Sequence, residues 1–462
     1  MALISPVLMQ RFDIPGPRYT SYPTADRFAP DPEGHALVAA LEQRAQDGAP
    51  APLSLYVHVP FCESVCYYCG CNKVITKDHG KAQDYLHYLE LEGRLVAGHM
   101  ERAGGGRAVV AQLHLGGGSP TFLSDADLSR LVTTLRTQFA FQDGAECSIE
   151  VDPRTVDATR LAHLRALGFN RISFGVQDFD PTVQAAVHRV QSYAQVASLM
   201  EDARALRFDS INVDLIYGLP HQDATSFQRT LEQVTTLHPD RIALYAYAHL
   251  PTRFKPQRRI NARALPGAEL KLQMLDLAIR KFLEHGYEYI GMDHFALPED
   301  QLAQVKRNGQ LQRNFQGYHA NPGADLVGLG VSAISQVGRA YSQNVKTLAA
   351  YYAALDTGKL PVERGLTLNE DDLVRRDVIM RLMCQGRLNF ETLERRYGIQ
   401  FENYFEDALQ RVREFEAFDL VTRTPAGLEV SKAGWFLVRA IAMAFDKYLW
   451  QHADHHRFSK VL

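Results

Sequence analysis

The sequence predicts an α/β protein built on an incomplete (β/α) barrel, with an extended N-terminal arm and a mainly helical C-terminal domain. Between residue 53 and about residue 248, short apolar runs alternate with longer helical patterns, which is typical of right-handed βαβ units and a parallel sheet. The first 50 residues are rich in Pro and Gly, and after about residue 365 the patterns become short amphipathic helices. We therefore predict an arm at 1–50, a barrel domain at 51–365 and a C-terminal domain at 366–462.

The elements of the barrel are predicted from apolar periodicity and turn signals. The strand candidates are Leu53–Val59, Val109–Leu115, Cys147–Val151, Arg171–Val176, Ile211–Ile216 and Arg241–Tyr247. The helical patterns are Ala82–Glu101, Asp125–Phe139, Val156–Leu167, Thr182–Leu206, Asp223–Leu237 and Glu269–His285. The absence of a dinucleotide-binding fingerprint in these units favours a barrel over an open doubly wound sheet.

The residues that follow the predicted strands are glycine or polar at nearly every position. In (β/α) barrels the active site lies at the carboxyl ends of the strands. Those ends carry Cys62, Gly116, Gly117, Gly118, Glu150, Gln177, Asp214 and Ala248. We therefore expect the functional site at this end of the barrel.

The C-terminal domain is predicted to resemble a winged helix. Its elements are Glu370–Met383, Phe390–Arg396, Glu402–Ala417, a hairpin-like Leu420–Val430 and a final helix. Its charges are of mixed sign and form no basic stripe, so we do not expect DNA binding. We interpret His452, His455 and His456 near the C-terminus as a solvated end and not as a metal-binding tract.

Composition and charge bound the class of protein. The 462 residues are 46% hydrophobic and 22% charged, with a net charge of −3, so no positive field attracts nucleic acid. No apolar run reaches the roughly 18 residues of a membrane span, and the first residues do not have the pattern of a signal peptide. Six cysteines in a chain of this length suit a reducing compartment. We expect a cytoplasmic monomer that binds neither membrane nor nucleic acid.

Thiols are crowded on the loop that follows the first predicted strand. Cys62, Cys66 and Cys69 have C-x₃-C-x₂-C spacing, and Cys71 lies two residues further on. Neighbouring thiolates favour a soft metal centre. Zinc, which normally has two separated pairs of ligands, is the main alternative, and electron-relay ferredoxins have other spacings. In a [4Fe-4S] cluster three cysteines would leave one iron open to a ligand from outside the protein, which indicates chemistry and not electron relay alone.

Other motifs each have a structural and a functional interpretation. The glycines at 116–118 let the backbone approach a ligand closely, although a tight turn is the ordinary explanation. Glu150 and Asp214 end apolar strands, where an unpaired carboxylate would be costly. They are either capping or ion-pair residues, or they bind ribose hydroxyls or an amine. The basic segment Arg253–Arg263 is a solvated loop by default and an anion site as the second interpretation.

The cysteine loop resembles the signature of radical S-adenosylmethionine enzymes, in which the amino and carboxylate groups of the methionine occupy the open iron. Longer segments are similar to the family of oxygen-independent coproporphyrinogen III oxidases. They are Pro17–Ala25 (PRYTSYPTA), Tyr56–Cys71 (YVHVPFCESVCYYCGC), Leu113–Thr121 (LHLGGGSPT), Asn212–Pro220 (NVDLIYGLP), Gly291–Phe295 (GMDHF) and Arg313–Tyr318 (RNFQGY). Ser119 departs from the family, which usually has Thr there, but it keeps the hydroxyl.

The resemblance implies a radical S-adenosylmethionine barrel, a [4Fe-4S] cluster and two molecules of S-adenosyl-L-methionine per turnover. The cluster ligands would be Cys62, Cys66 and Cys69. The first S-adenosylmethionine would contact Tyr56, Gly117, Glu150 and Ile334. The second would contact Tyr68, Gly118, Ser119, Gln177, Arg189, Asp214 and Ala248. Cys71 is not expected to be a ligand, and its role stays open.

The family's activity is the oxidative decarboxylation of two propionates of coproporphyrinogen III to vinyls, which gives protoporphyrinogen IX for haem biosynthesis. The resemblance thus implies an oxidoreductase that uses a 5′-deoxyadenosyl radical, with an unidentified electron donor and an unidentified terminal electron acceptor. The main alternative is a related haem chaperone, which shares the barrel and the three cysteines. That relative typically lacks the fourth cysteine and the PRYTSYP segment, both of which are present here.

Overall fold

The structure is a computed structural model that describes residues 8, 11–46, 50–102, 106–321, 323–451, 458 and 460. The chain forms two compact units, which we call the barrel unit, residues 28–267 and 323–367, and the terminal unit, residues 1–27, 268–322 and 368–462. Each unit is assembled from segments distant in sequence, whereas the predicted domains are continuous; that division remains a prediction. The three histidines at 452, 455 and 456 lie outside the described residues.

The barrel unit is organised around a parallel sheet. Its strands, in both chain order and spatial order, are β1 (Leu53–Val59), β2 (Val109–Gly117), β3 (Ala140–Val151), β4 (Arg171–Gln177), β5 (Ser210–Tyr217) and β6 (Arg241–Ala246). On the other side of β1 lies β7 (Asp325–Leu329), which is also parallel to it. The predicted α/β class is therefore confirmed, because helical crossovers connect consecutive parallel strands from β1 to β6.

Beyond β7 the sheet continues with antiparallel strands. These are, in spatial order, Ile334–Val337, Ala340–Asn344, Val362–Thr367 and Ala29–Pro30. Within the described residues of the barrel unit the ladder thus runs in one line from Ala29–Pro30 to β6. This open order agrees with an incomplete barrel.

The barrel unit contains eight described helices. They are His35–Gln46, Gly80–Arg102, Asp125–Gln138, Ala158–Ala166, Pro181–Ala186, Tyr193–Ala205, Ala224–Leu237 and Leu348–Asp356. Short 3₁₀ turns lie at Pro120–Phe122, Pro153–Thr155, Lys255–Arg259 and Ala262–Ala264. Side-chain caps mark the N-termini of several of these helices. At the helix Asp125–Gln138, for example, Ser124 and Asp127 form a reciprocal capping box. Among the described helices, none has both the length and the apolarity needed to cross a bilayer.

The helix predicted over Thr182–Leu206 is two helices in the structure. The first ends at Ala186, and His188 then adopts a positive φ of 55°. Ser192 caps the second helix by accepting a hydrogen bond from the backbone N–H of Gln195. The break leaves Arg189 in a loop between the helices, where its side chain is buried.

The terminal unit has its own hydrophobic core and mostly short elements. Its helices are Ala268–Glu284, Gln301–Arg307, Glu370–Gln385, Phe390–Tyr397, Phe401–Tyr404, Glu406–Glu416, Val438–Met443 and Lys447–Gln451, with 3₁₀ turns at Ala25–Arg27 and Gly434–Leu437. Its strands are Glu288–Gly291, His294–Ala296, Gln312–Asn314, Gly317–His319, Arg387–Asn389, Val421–Thr424 and Gly427–Val430. The last two form the predicted hairpin, with Thr424 opposite Gly427 at its turn.

Part of the N-terminal arm packs inside the terminal unit. Tyr19 and Tyr22 are fully buried in its core. The hydroxyl of Tyr19 donates to Asp446 at 2.9 Å, and Nε of Arg439 donates to the carbonyl of Pro17 at 2.7 Å. The PRYTSYP segment is therefore a structural part of this unit.

Candidate functional site

A cavity of about 440 Å³ lies at the carboxyl ends of the parallel strands in the barrel unit. Most of the residues predicted from the sequence line it. They are Cys62, Cys66, Tyr68, Cys69, Gly117, Gly118, Ser119, Glu150, Gln177, Arg189 and Asp214. The end of the barrel that the sequence indicates is thus where these side chains meet.

Three predicted site residues do not line the cavity. Tyr56 lies on β1, and its hydroxyl is 3.1 Å from Nδ1 of His58. The carbonyl of Ala248, just beyond β6, accepts a hydrogen bond from Gln257 at 3.2 Å. Ile334 begins the strand that follows β7 and pairs with Gln343.

The cysteine loop is fixed by strand pairing at its ends and by hydrogen bonds within it. Directly after β1, Phe61–Cys62 pairs in parallel with Val74–Ile75. Inside the loop the backbone N–H of Cys69 donates to the carbonyl of Cys66 at 3.2 Å. Nζ of Lys73 donates to the carbonyl of Cys69 at 3.3 Å, so the thiol-bearing segment is held in place by its own chain.

The thiols of this loop suit a metal cluster. Cys62, Cys66 and Cys69 all face the cavity, and none is in a disulfide. Among the described residues, no three or more His, Cys, Asp and Glu side chains are arranged around one metal ion. A [4Fe-4S] cluster does not need that arrangement, because each thiolate binds a different iron. Three thiols spread around one cavity therefore fit the cluster.

The thiols of Cys62 and Cys69 differ in their ease of ionisation. Burial, followed by the neighbouring Cys69 and Cys66, raises the pKa of Cys62 to about 12. In contrast, a hydrogen bond from the Cys71 thiol lowers the pKa of Cys69 to about 6, against the effect of burial and with help from Lys73. This contact gives Cys71 a place beside a predicted cluster ligand, for which the sequence offered no role.

The glycines after β2 are required by the way the chain packs. A Cβ on Gly118 would lie 2.7 Å from the carbonyl carbon and oxygen of Pro60. Gly117 has a φ of +113°, and a Cβ there would lie 2.7 Å from the ring of His58. The backbone N–H of Gly118 donates to the carbonyl of Val59 at 2.8 Å. The glycine segment is thus pressed against the chain that leads into the cysteine loop.

Glu150, at the end of β3, carries a carboxylate that is ionised in this setting. It accepts a hydrogen bond from the backbone N–H of Gly117 at 3.1 Å, and Nε2 of His114 lies 3.5 Å from it. Burial alone raises its pKa, but the hydrogen bond and charge of His114 together with the Gly117 N–H hold the pKa below the ordinary value. A charged acceptor therefore borders the cavity at this point.

The pKa of Asp214, on β5, is shifted in the opposite direction to that of Glu150. Burial and then the negative charge of Glu150 raise its pKa to about 6, although hydrogen bonds from Ser173 and Asn212 oppose the shift. These donors lie 3.0 Å and 2.9 Å from the carboxylate. Two carboxylates of the cavity thus differ, since Glu150 is charged and Asp214 has a pKa of about 6.

Two guanidinium groups lie beside Cys66. Nη1 of Arg189 is 3.5 Å from its sulfur and Nη2 of Arg154 is 3.8 Å from it. Asp152 joins the two, since its Oδ2 accepts from Arg154 at 2.6 Å and from Arg189 at 3.1 Å. Asp152 and Arg154 were missed in the sequence analysis. Their position just after the end of β3, beside Glu150, is the signal that could have found them.

Gln257 joins the cysteine loop to the segment after β6. Its side chain is only 2% exposed, and its Nε2 donates to the carbonyl of Tyr68 at 2.9 Å as well as to that of Ala248. Its Oε1 accepts from the backbone N–H of Leu250 at 2.6 Å. Sequence reasoning could not identify this glutamine, because its partners are far away along the chain.

The basic segment Arg253–Arg263 surrounds Gln257 and is partly exposed. Arg258 donates through Nε to the carbonyl of Pro251 at 3.0 Å. The guanidinium of Arg259 lies over the ring of Tyr67, 5.3 Å from its centre. Neither contact uses a carboxylate, so both guanidinium groups keep donors for an anion.

Comparisons with known proteins agree with this geometry. Residues 56–234 match the radical SAM superfamily, and residues 368–437 match the HemN C-terminal domain. The oxygen-independent coproporphyrinogen III oxidases of Pseudomonas aeruginosa and Escherichia coli are 49% and 46% identical to the chain, and each alignment covers 98% of both proteins.

A solved structure extends the similarity to the fold. It is described as coproporphyrinogen III oxidase (HemN) from Escherichia coli, a radical SAM enzyme. It superposes with a TM-score of 0.91 at 44% identity, over 96% of this chain and 99% of that one. Together with the sequence identities over nearly the whole length, this shows that the chain belongs to the oxygen-independent coproporphyrinogen III oxidase family of radical S-adenosylmethionine enzymes.

Proposed function

We propose that this protein converts two propionates of coproporphyrinogen III to vinyl groups without oxygen and so forms protoporphyrinogen IX in haem biosynthesis. The observation that carries the proposal is the cavity at the carboxyl ends of the parallel strands. It brings the three cysteines together with the glycine segment, Glu150 and Asp214. Near-full-length similarity to coproporphyrinogen III oxidases supports the choice of substrate.

The cluster would be held by Cys62, Cys66 and Cys69, and it supplies the electron that splits S-adenosylmethionine to the 5′-deoxyadenosyl radical. Taking a hydrogen atom from a propionate β-carbon, followed by loss of CO₂ and one electron, leaves a vinyl group. The structure supports this assignment through the three thiols that border one cavity. The electron released in each decarboxylation needs an acceptor, and we propose that this acceptor and the cluster's reductant are separate partners.

We propose that the first S-adenosylmethionine binds against Gly117, Glu150, Tyr56 and Ile334. Glu150 offers the charged acceptor that an amino group or ribose hydroxyls would need, since its pKa is held low. A Cβ on Gly117 would meet the ring of His58, so a glycine is needed at this point of the cavity wall. Tyr56 stands behind this surface, with its ring stacked on His114, which in turn contacts Glu150.

A second S-adenosylmethionine is proposed for the other side of the same cavity. Its contacts would be Tyr68, Gly118, Ser119, Gln177, Arg189, Asp214 and Ala248. All of these but Ala248 line the cavity. The buried cation of Arg189 suits a carboxylate, and Asp214 suits an amine or hydroxyl group. Gln257 would connect the two ends of this set through its bonds to Tyr68 and Ala248.

The substrate carries carboxylates, and we propose that the basic segment Arg253–Arg263 binds them. Arg258 and Arg259 are exposed, and their contacts with Pro251 and Tyr67 leave donors for an anion. We further propose that the protein works as a cytoplasmic monomer.

The test is an anaerobic assay of the reconstituted protein with coproporphyrinogen III, S-adenosylmethionine and a chemical reductant. The expected result is vinyl product in proportion to the S-adenosylmethionine consumed. Haem binding without decarboxylation would favour the haem chaperone. Loss of S-adenosylmethionine without any vinyl product would indicate a different substrate.

A further inference from the structure

We propose that Arg154, together with Arg189, raises the reduction potential of the cluster by donating N–H groups to the sulfur of Cys66. This inference rests on the proposed function, because it assumes that the cluster binds at the three cysteines. It assigns a role to Arg154, a residue that the sequence analysis did not identify.

The first observation is the geometry around Cys66. Its sulfur lies within hydrogen-bonding range of guanidinium nitrogens from two residues, at 3.5 Å for Arg189 and 3.8 Å for Arg154. Both residues line the cavity, as Cys66 does. In each arginine the nitrogen that faces the sulfur also donates to Asp152, which is possible because a terminal guanidinium nitrogen carries two N–H groups.

The second observation is that these cations are held in place. Arg154 donates to Asp152 through Nε and Nη2, at 2.9 Å and 2.6 Å. Arg189 shares Asp152 and also donates to the carbonyl of Gly175 at 2.7 Å. Two cations and one carboxylate leave one positive charge next to the sulfur. The side chains are only 23% and 9% exposed for Arg154 and Arg189, so water screens this charge weakly.

The consequence follows from charge. Reduction adds an electron to the cluster, and nearby positive charge and N–H donors to the thiolate stabilise the added negative charge. The reduction potential is therefore expected to be higher than it would be without the two guanidinium groups. A higher potential lets a weaker physiological reductant charge the cluster. Arg189 is also a proposed contact of S-adenosylmethionine, so Arg154 offers the cleaner test.

The experiment measures the midpoint potential of the reconstituted cluster in the wild type and in Arg154→Met, by redox titration followed by EPR. Met removes the charge and the donors but keeps a long side chain. We expect iron and sulfide content to be unchanged and reduction to be about tenfold less favourable, which is ~59 mV for one electron. The matched control is Arg160→Gln, which removes a similar charge from an arginine that is held by Asp125 at 2.5 Å. Its potential should stay at the wild-type value.

The outcomes separate this inference from the function on which it rests. A wild-type protein that assembles no cluster would overturn the proposed function. A normal cluster with the same potential in Arg154→Met and the wild type would overturn only the inference. If Arg154→Met fails to assemble its cluster, the second variant is Arg154→Lys, which keeps the charge but not the planar fork. Its midpoint potential should equal that of the wild type or lie below it by less than ~59 mV, the value for a tenfold change with one electron. Loss of the cluster in both variants would also refute tuning, because Arg154 would then be needed for assembly.

Discussion

Replacing Asp214 by Asn is expected to stabilise the cluster-free protein at neutral pH while weakening its hold on S-adenosylmethionine. The pKa of Asp214 rises from 3.8 to about 6 on folding, with burial as the main cause and the charge of Glu150 next. A raised carboxyl pKa means that the folded state favours the protonated form. The stability that this group contributes is complete below about pH 4 and is lost as the pH rises to about 6.

The size of the effect can be worked out from that shift. A difference of about 2 pKa units corresponds to about 3 kcal/mol of unfolding free energy above pH 6. Asn removes this cost because it cannot ionise. It also matches the donors of Ser173 and Asn212 less well than a carboxylate, which costs about 1 kcal/mol. The variant should therefore be about 2 kcal/mol more stable at pH 7 and about 1 kcal/mol less stable at pH 4.

The assay is thermal unfolding of both cluster-free proteins at pH values from 4 to 8. The other titrating groups are common to both, so the difference in Tm isolates Asp214. It should change sign between pH 4 and pH 7, and for a chain of 462 residues it should amount to about 2 °C at pH 7 and about 1 °C in the opposite direction at pH 4. A difference in Tm that stays constant across this range would refute the argument that the folded protein pays an ionisation cost at Asp214. S-adenosylmethionine binding, measured by equilibrium dialysis, should be weaker in the variant at pH 8.

Other variants test the remaining assignments. Serine at any one of the three predicted ligands should abolish the cluster, measured as iron and sulfide content, whereas Cys71→Ser should retain it; the opposite pattern would overturn the ligand set. Gln257→Leu removes three hydrogen bonds from a buried site and should lower stability by about 2–4 kcal/mol, with a weaker second S-adenosylmethionine. Its control, Gln257→Glu, keeps the acceptor for the Leu250 N–H. Neutralising Arg258 and Arg259 together should raise the KM for coproporphyrinogen III about tenfold and leave S-adenosylmethionine binding unchanged. An unaltered KM would mean that the segment is a solvated loop and not a substrate-binding site.

Local signals in the sequence predicted most of the parallel sheet. β1 was predicted with its observed ends, Leu53 and Val59, because apolar residues recur there at every second position between Pro52 and Pro60. β3 begins at Ala140, earlier than predicted, and its first half pairs with β2 before a register shift. The prediction missed this half because it is less apolar than the second half. Periodicity could not reveal the break at His188 either, because apolar spacing continues through it while a positive φ ends the helix.

The candidate site was predictable to the extent that strand ends mark it. Cys62, Glu150 and Asp214 could be found because parallel strands place their carboxyl ends together. Gln257 could not, since it acts through contacts with residues such as Tyr68 that are far away along the chain. The grouping of both chain ends into one unit escaped prediction for the same reason.

The glycine segment after β2 has a consequence for how related proteins diverge. A Cβ on Gly117 would clash with His58, and a Cβ on Gly118 would clash with Pro60, whatever the cavity contains. A descendant that lost its cofactor would therefore keep both glycines, because replacing them would disturb the fold. Asp214 faces the opposite pressure, since its ionised side chain costs stability, and it would be among the first residues to drift once binding no longer mattered. Retention of the carboxylate, more than of the glycines, should therefore distinguish working enzymes from inactive descendants.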